Sequence, residues 1–187
     1  QFSHDRRIGS MHDRLRLLEK RDIDELIILD VAATPERRAP RFDAMAELLA
    51  GMFCPVTVGG GVRNVADIRR LLKCGADKVA IGTAAIERAA LIDEAAQAVG
   101  SQAVVVAIDV RDGRVWSHCG RTDAGLVPSS WADVAELLGA GEILLTSIER
   151  DGMMQGYDLD LIRSVSDAVS IPVVAAGGCG TYEHMRQ

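Results

Sequence analysis

Apolar runs alternating with amphipathic stretches, polar or glycine residues at nearly every strand end, and a weak internal repeat predict an α/β fold. The expected architecture is a (β/α)8 TIM barrel, here incomplete, with its first and eighth strands missing. Continuous apolar strands between amphipathic helices imply a parallel sheet covered by helices. A doubly wound open sheet also fits that alternation. The barrel is favoured because polar groups collect at the strand ends: Asp30, Gly59 to Gly61, Gly82 and Thr83, Asp109, Thr146 and Ser147, Gly177 and Gly178.

The elements follow in order. MHDRLRLLEKRD (11–22) has helical periodicity and ELIILD (25–30) reads as a strand. RFDAMAELLAGM (41–52) is a helix, and CPVTVGGG (54–61) a strand running into a glycine turn. NVADIRRLLKCG (64–75) is a helix, DKVAIGT (77–83) a strand and ALIDEAAQAVG (90–100) a helix. The strand QAVVVAID (102–109) leads into a short hairpin, VRDGRVWSHCG (110–120), where Asp112 and Gly113 suit a tight primed turn. SSWADVAELLGAG (129–141) is a helix, EILLTSIERDG (142–152) a strand and DLDLIRSVSDAV (158–169) a helix. IPVVAAGGCG (171–180) is the last strand, and TYEHMRQ (181–187) begins one more helix.

TVGGGVRNVADI (57–68) is similar to AAGGCGTYEHM (175–185), and ELIILD is similar to EILLTSI. In an eight-unit ring this pairs the third strand with the seventh and the second with the sixth. A complete barrel takes ~250 residues, so a chain of 187 residues is short by two units. Residues 1–187 are therefore expected to be one partial barrel domain, strands two to seven, cut from a longer protein.

The formal charge of −6, without a long basic block, argues against general nucleic-acid binding. No apolar segment reaches the ~20 residues that span a bilayer, and QFSHDRR has no signal-peptide character. Cys54, Cys74, Cys119 and Cys179 form no CxxC pair and no zinc-like spacing, so no metal or cofactor is expected and a reducing cytoplasm is. His4, His12, His118 and His184 are isolated in sequence and read as surface residues.

Chemistry points to the strand tips. Asp109 ends an apolar strand, where a carboxylate is costly unless paired or used. It is either a general acid or base at the barrel mouth or an Asx turn into the hairpin. GGGVRN and AGGCGT put exposed amides before helix starts, which suits phosphate; the same glycines also serve tight turns. Two such loops on opposite sides of a ring suit a ligand with a phosphate at each end. Glu25, Lys78 and Glu142 sit at strand starts, where a structural salt-bridge ring is the ordinary reading.

DELIILD, TVGGGVRN, GADKVAIGTAA, GSQAVVVAID, GAGEILLTSIERDG, GYDLDLI and AAGGCGTYEHM, in this order, resemble the cyclase subunit of imidazole glycerol phosphate synthase over essentially the whole chain. The resemblance implies a barrel of two similar halves. It implies a reaction in which ammonia from a partner glutaminase subunit, held in a heterodimer, rises along the barrel axis. There it meets a bisphosphorylated ribulosyl intermediate of histidine synthesis, giving imidazole glycerol phosphate and an aminoimidazole carboxamide ribotide. Asp109 matches one of the family's two catalytic aspartates; the other belongs to the missing first strand. Gly61, Gly82 and Thr83 match one phosphate site, and Asp151, Gly152 and Gly178 the other. Glu25, Lys78 and Glu142 match three of four residues that gate ammonia, Asp77 one facing the glutaminase, and Thr57 and Thr146 the interior lining.

Some positions depart from that pattern. Gly82 stands where Asn is usual, Glu149 and Met153 replace Asp and Thr, and Cys119 replaces a small polar residue. ATPERRAPRFD, GMFCPVTVGGG, DGMMQGYD and VSDAVSIPV resemble more closely a sister branch. That branch works with a sugar amidotransferase and a glutaminase-like partner to install acetamidino groups on surface-polysaccharide sugars. In that case the chain is an ammonia conduit without cyclisation. VRDGRV is similar to the hairpin of a sibling phosphoribosyl isomerase. The piece alone is expected to be inactive.

Overall fold

The computed structural model describes residues 11–187. The expectations for QFSHDRR and His4 lie outside the described residues, as does the side chain of His12. In chain order the elements are α1 (Met11–Glu19), β1 (Leu26–Leu29), α2 (Phe42–Leu49), β2 (Val56–Gly59), α3 (Val65–Lys73) and β3 (Lys78–Ile81). Then come α4 (Thr83–Glu87), α5 (Ala90–Val99), a 3-10 turn (Ser101–Ala103), β4 (Val104–Arg111), β5 (Arg114–Ser117) and β6 (Thr122–Asp123). The chain continues through α6 (Pro128–Leu137), β7 (Glu142–Ser147), α7 (Leu159–Ser166), β8 (Val173–Ala176) and α8 (Tyr182–Arg186).

Six strands run parallel in the order β1-β2-β3-β4-β7-β8. They make a curled sheet, an incomplete (β/α)8 barrel, with β1 and β8 as its two edges among the described residues. The end of β4 and β5 form the expected antiparallel hairpin, and β6, which was not anticipated, adds to β5. Asp112 and Gly113 have φ of 50° and 68°, the pair of positive values that a primed two-residue turn requires. β4 runs two residues past Asp109, to Arg111, because the hairpin extends its ladder. The five-residue α4 was not anticipated; TAAIE is too short to show a helical period.

Side chains alternate between two faces, as a strand's period of two dictates. Ile28, Val58, Val79, Ile81, Val106, Ile108, Ile143 and Leu145 point outward into the large core shared with the helices. Ala80, Val105 and Leu144, with Ile27, Ala107, Val174 and Ala176, form a separate small cluster in the lumen. A one-residue slip in any strand would exchange the two sets.

The internal repeat is a geometric one. Gly60 (φ 101°) lies so close to β1 that a Cβ there would meet the Asp30 carbonyl oxygen at 2.3 Å. Gly177 (φ 90°) stands in the same relation to β7, its Cβ meeting the Ser147 oxygen at 2.6 Å. Four residues beyond Gly60 and Gly177, a polar residue caps the next helix: Asn64 accepts from the Asp67 amide and Thr181 from the His184 amide. Each cap satisfies one amide that the helix start leaves open.

Candidate functional site at the barrel mouth

Parallel register brings the C-terminal tips of these six strands to one end. A cavity of about 420 Å³ opens there, within the range of small-molecule sites. It is lined by tips from both halves of the sheet, among them Leu29, Gly61, Ala80, Ala107, Leu144 and Ala176. Asp109 lies in its wall, and β4 holds it between β3 and β7. The Asx-turn alternative does not describe it, because the turn is made by Asp112 and Gly113. Burial pushes the Asp109 carboxyl up to about 6, against the Thr146 hydroxyl that hydrogen-bonds it and with the help of the Asp151 charge. Thr146 pairs with Asp109 in register across β4 and β7. A carboxyl with that pKa exchanges protons near neutral pH, which is what general acid–base work needs.

The two glycine bends flank Asp109 at the same end of the sheet, one after β2 and the other after β8. Gly61, Gly82 and Thr83 line the mouth cavity together. Gly61 is required by packing as well, since a Cβ would meet the Ala33 Cβ at 2.6 Å. The Thr83 hydroxyl accepts a hydrogen bond from the His118 amide (2.9 Å), which ties the hairpin to α4. Gly82 is different: its φ is −118°, and a Cβ would find only Ala107 at ordinary contact distance. Gly82→Asn is therefore expected to fold with stability within about 1 kcal/mol of the parent. It should also add a side-chain donor at the cavity, read as tighter phosphate binding by calorimetry. A larger loss in thermal unfolding would show that the space is not there.

On the other side, Asp151 lines the cavity, whereas Gly152 and Gly178 are not among its lining residues. The Asp151 amide already donates to the Ser147 carbonyl at 3.0 Å. Gly178 (φ 99°) passes so close to Gly156 that a Cβ would meet its oxygen at 2.1 Å.

At the opposite end of the lumen, Lys78 Nζ donates to Glu142 Oε2 at 2.6 Å and to Glu25 Oε2 at 3.4 Å. Burial alone would lower the Lys78 ammonium, but the hydrogen bond and charge of Glu142, with Glu25, outweigh it and raise the pKa. Glu142 is only 7% exposed, and its Oε1 is buried without a hydrogen-bond partner. Thr57, buried on β2, pairs in register with Lys78 and faces the same lumen. Asp77 has a structural task too, since its carboxylate accepts from the Val56 amide at 2.8 Å and so extends the β2–β3 ladder.

Sequence reading missed three features. Arg38 grips Asp30 in a two-pronged pair (2.6 and 2.8 Å) and holds the loop after β1. Burial opposes ionisation of Asp30, but Arg38 prevails and keeps its carboxyl below the usual range. That pair joins residues eight apart across an irregular loop, so no periodic pattern announces it. His118 is not isolated: its ring contacts the Ser117 hydroxyl (3.0 Å) and Glu87 (3.3 Å). Cys119 lines the mouth beside Asp109 and donates to the Val31 carbonyl at 3.4 Å. Burial, then the Asp109 charge, pushes its thiol up. Among the described residues no group of three or more His, Cys, Asp or Glu side chains could hold a metal ion. No helix among them is long and apolar enough to cross a membrane.

Residues 1–187 match the family model described as "Histidine biosynthesis protein". The chain belongs to that family. Membership makes the chain a barrel enzyme of the histidine-biosynthesis type. It agrees with a mouth that collects a carboxylate of raised pKa between two glycine bends.

Proposed function

We propose that the chain is the cyclase component of an imidazole glycerol phosphate synthase, using ammonia delivered by a glutaminase subunit at the closed end of the barrel. The observation that carries this reading is the lumen itself. Lys78 bridges two glutamates at one end, Asp109 waits at the other, and the residues between are small or apolar. Neutral ammonia crosses such a path readily, while an ammonium ion would lose its hydration without recompense. A phosphoribosyl isomerase takes up no ammonia, so an ammonia gate here would favour the cyclase over it. The orphan Oε1 of Glu142 suits a fourth, cationic gate residue, since a buried unsatisfied carboxylate oxygen is costly. A bisphosphorylated substrate would lie across the mouth, with its reacting carbons over Asp109 and a phosphate toward each glycine bend.

A second reading keeps the ammonia path and drops the cyclisation, as in the sugar-acetamidino branch. One feature favours it: Gly82 offers no side-chain donor to a phosphate. The test is an assay of the full-length protein with the ribulosyl bisphosphate and an ammonium salt. Formation of imidazole glycerol phosphate is the expected result. Its absence, with glutaminase still stimulated, would favour the conduit.

A further inference from the structure

A second cavity, about 690 Å³, adjoins the mouth and shares with it Thr34, Gly61, Val62, Thr83 and Ala84. Its outer wall is basic: Arg37, Arg63, Arg88 and Arg121, with His118. Arg88 is held by Glu94, and the one carboxylate in the wall, Glu87, faces His118. Arg37, Arg63 and Arg121 form no ion pair with any described residue. They come from three separate segments: the loop after β1, the bend after β2 and the turn between β5 and β6. Arg37 is held at φ 52°, a conformation that costs a non-glycine residue free energy. In a chain of net charge −6, three guanidiniums without ion pairs on one concavity repel each other.

We propose that this cleft binds the diphosphate or longer polyphosphate group of a nucleotide-sized small molecule, in continuity with the anion cradle of Gly61 and Thr83. The proposal rests on reading that bend as an anion cradle. Guanidinium forks match phosphate oxygens two at a time, and three of them offer more charge than a monophosphate needs. The volume likewise fits a group far larger than a lone phosphate. No Phe, Tyr or Trp lines the cleft, so it lacks the stacking platform of a single-stranded nucleic-acid site.

The test is titration calorimetry of the protein with inorganic phosphate, pyrophosphate and ADP at fixed ionic strength. Pyrophosphate and ADP should bind at least tenfold more tightly than phosphate. The double variant Arg63→Gln, Arg121→Gln should bring both to within threefold of phosphate, with circular dichroism unchanged. Arg163→Gln, on the exposed face of α7, should leave all three affinities as they were. Equal binding of phosphate and pyrophosphate would overturn the proposal, as would a loss shared by Arg163→Gln or displacement of ADP by an oligonucleotide. Binding is read without turnover, so a failed cyclase assay leaves this result standing, and preferential pyrophosphate binding does not depend on cyclisation.

Discussion

Replacing Asp109 by Asn in the full-length protein is expected to lower turnover by about 10²–10⁴-fold, the usual contribution of a positioned acid or base. The same change should stabilise the fold at alkaline pH. The folded carboxyl titrates at about 6 instead of its ordinary 3.8, with burial as the main cause. The folded state therefore holds a proton between about pH 4 and 6 that the unfolded chain has released, and stability falls as pH rises through that window. Above it the cost is fully present, up to about 3 kcal/mol; below it the cost vanishes. Denaturant unfolding should show the Asn variant more stable than the parent at pH 8 and nearly equal at pH 4. A pH-independent difference, or turnover kept within tenfold, would remove Asp109 from its role.

Lys78→Met is expected to cost about 2–3 kcal/mol, the low end for a broken buried pair because Lys78 keeps partial contact with water. The cost arises at Glu142, whose carboxylate would stay buried with neither oxygen satisfied. The double variant Lys78→Met, Glu142→Leu should recover to within about 1 kcal/mol of the parent, since apolar packing often replaces a buried ion pair without loss. Thermal unfolding of both variants checks this. If the cyclase proposal holds, glutamine-dependent turnover in the double variant should fall more than ammonium-dependent turnover. Equal losses would make the three charges a structural plug, the ordinary reading of residues on that face.

Much of the molecule is visible in the order of its residues. The alternation of apolar strands with amphipathic helices places the parallel strands, and the repeat of glycine bend and capping residue is a local pattern. Asp112 and Gly113 announce their turn because only a few residue types tolerate positive φ. Asp109 stands out because a carboxylate closes a run of Val, Ala and Ile. The Arg38–Asp30 pair, the place of Cys119 beside Asp109 and the basic cleft were not legible in this way. Each joins segments distant in sequence or lies in an irregular loop.

The sequence by itself determined which faces are apolar, where strands end and which residues bend or cap the chain, because these depend on local sterics and on periods of two and 3.6. Only the tertiary structure decided what meets what. Curling the sheet buried Asp109 and brought Asp151 toward it, which together raise its pKa, closed Lys78 between two glutamates, and left one carboxylate oxygen without a partner. Burial and charge act through space, and the distances that set them appear only when the strands have found their neighbours.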